Sequence, residues 1–561
     1  MSGPVTARVT VSGPAEAGVR AGLDRLVQAR VASRVSAGDA DVWGPEARDE
    51  ASVRLAWTTL PSTSRELLEP LLALRDELRA EGVDRVVLAG MGGSSLAPEV
   101  VCAAHGVPLV TLDATDPGQV RAALVDLERT VLVVSSKSGS TVETDSQRRA
   151  FEAAFTAAGI DPRTRVVVVT DPGSPLEATA REAGYRAVFR ADPHVGGRYS
   201  ALTAFGLVPS ALAGADVTAL LDEALAVVGQ CAADSPDNPA LVLAAAVSTS
   251  PAPDGGDRDK LVLVDVPGSG LPGLGDWAEQ LVAESTGKQQ TGLLPVVVGT
   301  DAAEVTHPLP DAVRVAVTNG ADVPAQVADV VVTASLGAQL LLWEHATAAA
   351  GFLLGINPFD QPDVESAKNA ARGLLDATPE PAPARFVDRG VEVVADDRTL
   401  PESLPEGLDT AVQGLLSHLH DTGDRGYVAV MVYLDRVANA DLSHVRDSLA
   451  ARTGRPVTFG WGPRFLHSTG QFHKGGPRSG VYLQVVGDVG EDLAVPGREF
   501  TFGRLKAAQA DGDATVLRDL GRPVLTLRVA DEAGLAAVAE VLDAGGPARS
   551  GAHAADPGGE G

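Results

Sequence analysis

Six hydroxyls (Ser135, Ser136, Ser138, Ser140, Thr141 and Thr144) surround one lysine, Lys137, in the segment VVSSKSGSTVET, residues 133–144. The segment follows an apolar stretch and opens a helical pattern. Many neutral donors, one cation and a helix N-terminus suit a phosphate dianion. A Ser/Thr-rich capped helix start is the plainer use of the same residues. A second loop, GMGGSSLAPEV over residues 90–100, lies at an earlier strand–helix junction. Its glycines, Gly93 among them, let the backbone approach a ligand, and Ser94 and Ser95 can cap the helix while donating to an anion. It lacks the Gly-Lys-Ser/Thr end of a nucleoside-triphosphate loop and the G-x-G-x-x-G spacing of a dinucleotide loop. Alone it would also serve as a tight strand–helix turn. Two anion cradles at successive strand ends of one sheet favour a ligand shared between them.

Three further segments carry groups for proton transfer. In VGGRYSALTAFG, residues 195–206, Gly196 and Gly197 bring the backbone close and Arg198 can stabilise an oxyanion. An arginine on a loop is otherwise a surface residue, but this one is flanked by apolar residues. In EQLVAESTGKQQTG, residues 279–292, Gln280 and Glu284 are four apart and share one face of a helix that ends at Gly287. Glu284 is a candidate general base; its alternative is a solvent-facing helical glutamate. In INPFDQPDVESAK, residues 356–368, Gln361 and Lys368 follow a long helical stretch. That segment also reads as a capped helix start, with Asp360 or Asp363 as the cap.

The elements that must hold these loops alternate. Short strands apolar throughout are predicted at 85–89, 109–112, 130–135, 165–170 and 186–189, with helical patterns between most of them. Such alternation predicts a parallel sheet covered on both faces. It restarts after a polar, Pro/Gly-rich loop (SPAPDGGDRD, 250–259), with strands at 260–266, 295–298, 313–317 and 330–332 and a long amphipathic helix over 336–354. A Pro-rich linker (ATPEPAPA, 377–384) precedes a third α/β region with strands at 427–433, 481–486 and 524–528 and a strand-like stretch at 457–460. The chain divides into a helical N-terminal region (1–80), a first α/β domain (81–210), a helical connection (211–257), a second α/β domain (258–372), a C-terminal α/β region (385–545) and a disordered tail (546–561). No strict sequence repeat is visible.

Composition excludes several classes. Aromatics are only 4% of residues, so the cores must be built from Ala, Val and Leu. The longest apolar runs, 240–247 and 427–434, fall far short of the roughly 20 residues a membrane span needs. The N-terminus has no basic start followed by an apolar segment, so export by signal peptide is not expected. A net charge of −28 repels nucleic acid and acidic lipid, and admits an anionic ligand only at a local nest of donors. Two cysteines, Cys102 and Cys231, make neither a disulfide framework nor a zinc site. A reducing cytoplasm is the natural compartment. Cys102, in an apolar stretch, reads as a buried inert thiol.

The five segments, in this order, resemble those of the glucose-6-phosphate isomerase family. The first two loops resemble the phosphosugar-binding loops of its sugar isomerase (SIS) domains. Gly-Gly-Arg-Tyr-Ser is similar to the family's first signature, Glu-Ser-Thr-Gly-Lys to its catalytic glutamate motif, and Phe-Asp-Gln…Val-Glu…Lys to its second signature. The resemblance covers roughly residues 85–370. It implies an α/β fold of two SIS-type flavodoxin-like parallel-sheet domains, with the helical N-terminal region and the C-terminal α/β region added. It implies that Gly93, Ser94, Ser136, Lys137, Ser138 and Thr141 hold the sugar phosphate or neighbouring hydroxyls. Gly197 and Arg198 stabilise an enediol, Gln280 and Gln361 touch substrate, Glu284 moves the proton between C1 and C2, and Lys368 serves the ring and phosphate.

Two departures stand out. Asp363 occupies a position where the second signature usually has Gly; a carboxylate there could add repulsion or cap a helix. The family's Leu-His-Ser-x-Gly-Gln segment usually falls between the glutamate motif and the Phe-Asp-Gln motif. Here that interval holds only His307 and His345, and the segment stands instead at 466–471, within LHSTGQFHKGG. This permuted order resembles the isomerase half of actinobacterial transaldolase–isomerase fusions, although no transaldolase barrel fits in this chain. His467, in that segment context, is the candidate for ring opening, with His473 as the alternative. Its segment is expected to reach the cleft near Glu284 and Arg198.

The activity implied is interconversion of glucose 6-phosphate and fructose 6-phosphate, with no cofactor and no metal. A homodimer is implied, and neither nucleic acid nor membrane as partner. A dual phosphoglucose/phosphomannose isomerase is the closest alternative. A non-catalytic phosphosugar-sensing SIS module would have no use for Glu284. The SIS half of a glucosamine-6-phosphate synthase would need an N-terminal cysteine where residue 2 is serine.

Overall fold

The computed structural model describes residues 7–363, 373, 375, 382–487 and 490–544. Lys368 and the expected tail, 546–561, lie outside the described residues. Among the described residues no helix is long and apolar enough to cross a membrane.

Three sheets organise the chain, and each follows from the apolar runs. Residues 1–80 read as helical in sequence, but the structure adds a strand there, β1 (Arg8–Val11). The first sheet holds β2 (Arg85–Gly90), β3 (Val110–Leu112), β4 (Thr130–Ser135), β5 (Val166–Thr170) and β6 (Ala187–Arg190), all parallel, in the order β3-β2-β4-β5-β6. The second holds β7 (Lys260–Asp265), β8 (Leu294–Gly299), β9 (Ala312–Thr318) and β10 (Val330–Thr333), parallel, in the order β1-β10-β9-β7-β8; β1 closes its edge antiparallel to β10. The third holds β11 (Phe386–Asp388), β12 (Val391–Val394), β13 (Tyr427–Tyr433), β14 (Val457–Trp461), β15 (Gly480–Gly487) and β16 (Val524–Val529), in the order β11-β12-β16-β15-β13-β14. Four of its strands, β16, β15, β13 and β14, are parallel, and β12 and β11 continue it antiparallel.

Counted from the first parallel strand of each, all three sheets run in the order second, first, third, fourth. That is the flavodoxin-like doubly wound order, so the C-terminal region repeats the architecture of the other two without repeating their sequence. In such sheets ligands bind beyond the carboxyl ends of the strands, where the winding direction reverses. In the first sheet the reversal falls between β2 and β4, the two strands that lead into the Gly- and Ser-rich loops.

The cores explain the docking. Alternate residues of a strand face opposite layers. In β13, Val428, Val430 and Val432 enter the core of the third unit. Tyr427, Ala429, Met431 and Tyr433 instead share a core with Val262 and Val264 of β7 and Val296 of β8. The third sheet is thus laid against the second. Its loops also reach the first sheet through buried ion pairs. Arg464 Nη1 meets Glu99 at 2.5 Å and Asp113 at 2.6 Å, Arg436 meets Glu99 at 2.9 Å, and Lys506 meets Asp116 at 2.9 Å. Desolvation would raise the Glu99 carboxyl, but Arg464 and Arg436 hold it down at about 2. The helix Leu336–Leu354, expected to be amphipathic, is instead buried nearly all round, because its residues are mostly apolar on every side and it packs within the large core. Both cysteines are buried, and burial pushes each thiol up to about 12.

Candidate active site

A cavity of about 570 Å³ opens at the winding reversal of the first sheet, between it and elements of the other two. Gly93, Ser94, Ser136, Lys137, Ser138 and Thr141 line one side. Gly197, Arg198, Gln280, Glu284 and Gln361 line another, and His467 completes the wall. Of the residues expected at the site, Lys368 alone falls outside the described residues.

The loop after β2 is tight for a steric reason. A Cβ on Gly93 would stand 1.9 Å from the Gly197 carbonyl oxygen, so the two glycine loops press backbone to backbone. Gly92 takes φ +58°, and a Cβ there would meet both Gln280 and the His467 carbonyl at 2.8 Å. Only glycine fits either place.

After β4 the hydroxyls bond one another. Ser136 and Thr141 are 3.0 Å apart, as are Ser138 and Ser140. Ser136 Oγ also accepts from the Gly139 N–H at 3.2 Å. Thr141 precedes the helix Val142–Ala157 but makes no side-chain cap bond, so its hydroxyl is directed at the cavity loop and not at the helix end. The loop therefore presents preorganised neutral donors at a helix N-terminus.

Arg198 is 4% exposed at its side chain, and its guanidinium is a hub. Nε stands 3.3 Å from Glu284 Oε2. Nη2 donates to the carbonyls of Phe359 and Asp360 at 3.2 and 3.3 Å and to Gln361 Oε1 at 3.0 Å. Nη1 is buried with no hydrogen-bond partner among the described residues. A buried guanidinium N–H at a cavity wall is a ready donor for an oxyanion. Glu284 lies in the last turn of the helix Leu274–Thr286, and Gln280 one turn earlier on the same face. Gln280 Nε2 donates to the His467 carbonyl at 2.7 Å, while its Oε1 has no partner among the described residues. Lys288, four residues after Glu284, buries its ammonium against the Asn357 carbonyl (2.8 Å) and both the carbonyl and the carboxylate of Asp360 (2.6 Å each). Burial pulls Lys288 down to about 8.

His467 Nε2 faces Glu143 Oε1 at 3.2 Å, and the same oxygen accepts from Gln509 Nε2 at 2.6 Å. Gln509 is held in turn by the Thr115 hydroxyl at 2.7 Å. A histidine backed by a fixed carboxylate is an oriented proton carrier. His473 is placed elsewhere. Its ring packs against Tyr482 and Tyr427 with centroids 5.4 and 6.2 Å away, neither nitrogen has a partner among the described residues, and burial drives its pKa far below the usual range. It does not line the cavity. His345 packs on Trp57 and is pushed down to about 3 by burial, and His307 is exposed.

Sequence reasoning missed Glu143, Gln509, Lys474 and Asp171, all on the cavity wall. Glu143 stood inside the quoted Ser-rich segment, and an acidic residue in the first helical turn is itself a signal. Gln509 lies within the helix Phe502–Asp519 and carries no local mark.

Asp363, whose carboxylate could have added repulsion or capped a helix, is bound by the Gln471 side chain. Its Oδ2 accepts from Gln471 Nε2 at 2.6 Å, its backbone N–H donates to Gln471 Oε1 at 3.0 Å, and Gln471 Nε2 also reaches the Gly287 carbonyl at 2.9 Å. One fully buried amide thus joins the loop of Gln361, the end of the Glu284 helix and the segment of His467. Asp363→Ala is expected to cost about 1–3 kcal/mol and to lower turnover together with the thermal midpoint. Asp363→Asn, which keeps an acceptor, should recover most of both. A calorimetric midpoint unchanged in the Ala variant would remove the pair from this role.

A family model described as phosphoglucose isomerase matches residues 77–293. A glucose-6-phosphate isomerase of Rubrobacter xylanophilus is 31% identical over 377 residues, covering 55% of this chain and 86% of that one. One from a Cyanothece species is 28% identical over 386 residues, covering 56% and 72%. Among solved structures, a hypothetical protein from Thermus thermophilus superposes with a TM-score of 0.54 at 26% identity, over 65% of this chain and 99% of its own. A glucose-6-phosphate isomerase from Chlamydia trachomatis shares the fold with a TM-score of 0.53 at 21% identity, over 65% and 86%. With its glutamate, arginine and hydroxyl-lined cradle gathered in one cavity and these relatives beside it, the chain belongs to the glucose-6-phosphate isomerase family.

Proposed function

We propose that the chain is an aldose–ketose isomerase that interconverts glucose 6-phosphate and fructose 6-phosphate through a cis-enediol intermediate. The observation that carries this reading is the pairing in one cavity of the Glu284 carboxylate with Arg198, whose Nη1 is an uncommitted donor. The phosphate rests on Ser136, Ser138, Thr141 and the Gly93–Ser94 turn. In the open-chain sugar Glu284 takes the proton from C2; charge moves onto the carbonyl oxygen at C1, where Arg198 stabilises it. The proton of the C2 hydroxyl passes to the oxygen at C1, and the same carboxyl returns its proton to C1, so that a carbonyl at C2 and a hydroxyl at C1 result with no net loss of atoms or electrons. Gln280 and Gln361 orient the sugar hydroxyls. His467, held by Glu143, moves the proton at the ring oxygen when the sugar opens, and Lys368 assists there. A non-catalytic sensor would have no use for a base set against a buried arginine.

A homodimer in the cytoplasm belongs to the same reading, supported by the family and by two thiols kept buried and protonated. The LHSTGQ segment beyond the second signature supports kinship with the isomerase half of transaldolase–isomerase fusions. A coupled assay tests the activity: fructose 6-phosphate in, NADPH out through added glucose-6-phosphate dehydrogenase. Absence of NADPH formation by folded protein would reject it, and mannose 6-phosphate run in parallel with its own coupling enzyme separates the dual-specificity alternative.

The cradle makes its own prediction. Replacing Ser138 and Thr141 by Ala removes two donors to a dianion, each worth about 1.5–3 kcal/mol. The loss should fall mainly on KM. Unchanged affinity for both the sugar phosphate and inorganic phosphate would place the cradle elsewhere.

A further inference from the structure

Lys137, the cation of the cradle, is already engaged. Its Nζ donates to Asp171 Oδ2 at 2.5 Å and to the Pro193 carbonyl at 3.3 Å. Two of the three ammonium N–H groups therefore point at the protein. Asp171 directly follows β5 and lines the same cavity as the hydroxyl loop. Its second oxygen, Oδ1, is buried without a hydrogen-bond partner among the described residues. Burial pushes the Asp171 carboxyl up, opposed by Lys137 and more distantly by Arg54, while Asp192 adds like charge.

On the reading of this loop as the phosphate cradle, we propose that Asp171 tempers the grip of the cradle on the phosphate group, so that phosphate alone does not hold the site. A phosphate dianion entering the loop meets a lysine–aspartate pair of net zero charge, not a bare cation. The hydroxyls and backbone N–H groups still grip it, but the nearby carboxylate repels it. Inorganic phosphate has only these contacts. A hexose phosphate gains further contacts at Gln280, Gln361 and Arg198, and so outweighs it. Occupancy then depends on the sugar as well as on the phosphate, and the product's phosphate is not held by an unopposed charge.

The test substitutes Asp171→Asn, which keeps an acceptor for Lys137 and removes the charge. The inhibition constant of inorganic phosphate should fall about tenfold, and KM for fructose 6-phosphate should fall by a comparable factor, because both ligands place the same group in the cradle. A phosphate constant that stays unchanged or rises would overturn the proposal, because the aspartate would then only position the lysine. A second variant stands apart from the first. Lys137→Met in the otherwise natural chain leaves the Asp171 charge unopposed and should weaken inorganic phosphate by about tenfold, and combining it with Asp171→Asn should return the constant to near its natural value. A loss in Lys137→Met that Asp171→Asn does not restore equally overturns the proposal. Ser138→Ala with Thr141→Ala is the control that separates the two readings. If that pair leaves phosphate inhibition untouched, the cradle itself is misplaced; if it weakens inhibition while Asp171→Asn does nothing, only the role of Asp171 fails.

Discussion

Replacing Glu284 by Gln is expected to lower isomerisation by about 10²–10⁴-fold, the usual contribution of a general base, while leaving sugar-phosphate binding nearly intact. The substitution keeps the shape of a side chain that is 8% exposed and packed in a rigid helix. The carboxamide oxygen can still face Arg198 Nε, now 3.3 Å from Oε2, so the arginine keeps its place. What is lost is basicity at the carbon-bound proton. Two measurements separate this from a folding defect. In heavy water the variant should no longer wash deuterium into C2 of glucose 6-phosphate, followed by NMR. A six-carbon sugar alcohol 6-phosphate, which has no carbonyl to enolise, should bind within a few-fold of the natural protein by calorimetry. Near-normal washout in a folded Glu284→Gln protein would remove this residue from the mechanism. If washout and binding vanish together, the carboxylate holds the sugar and the proton is moved by another group.

Much of the fold was readable because parallel strands covered on both faces must be apolar throughout. TVLVVS in β4 and VVVVT in β5 are fully buried, and runs so rich in β-branched residues suit a pleated strand better than a helix. The strands that escaped, β1, β11 and β12, share the opposite property. Each is three or four residues long, lies at or next to a sheet edge and pairs antiparallel, so one side stays open to solvent and the run is not apolar. The repetition of one winding order in the third sheet was hidden for a different reason. Winding order is a property of pairing between distant strands, and nothing in a single strand encodes its neighbour.

The site divides along the same line. Loops that end a strand and open a helix announce themselves by Gly, Ser and Thr, which is why both cradles and the Gly-Gly-Arg turn could be named. Pairs that meet only when the third sheet docks could not. Glu143 and His467 are 324 residues apart, Asp363 and Gln471 108 apart, and Glu143 and Gln509 366 apart. The displaced His-Ser-Thr-Gly-Gln segment becomes intelligible through that docking. β13 and β15 lie against β7 and β8, and the chain between β14 and β15 is thereby carried over the carboxyl ends of the first sheet. Three contacts fix the segment's place in space: Gln280 to the His467 carbonyl, Gln471 to Asp363 and Gly287, and Arg464 to Glu99 and Asp113.

His467→Ala is expected to lower turnover of cyclic hexose phosphates by about 10²–10³-fold and to spare a substrate that needs no ring opening. A four-carbon aldose 4-phosphate provides the comparison, because its C4 oxygen carries the phosphate and cannot close a furanose ring. Its C2 proton is still accessible to Glu284. The His467→Ala enzyme should therefore exchange that proton at close to the natural rate, whereas Glu284→Gln should fail on both substrates. With hexose phosphate, the residual rate of the histidine variant should follow the small open-chain fraction. Glu143→Gln keeps an oxygen near His467 Nε2 and near Gln509, but removes the charge that stabilises a protonated imidazole. Its loss should be about tenfold on the hexose and absent on the tetrose. Equal losses on the cyclic and the non-cyclising substrate would show that His467 and Glu143 serve the enediol step instead, and full activity of His467→Ala on glucose 6-phosphate would take the displaced segment out of the chemistry altogether.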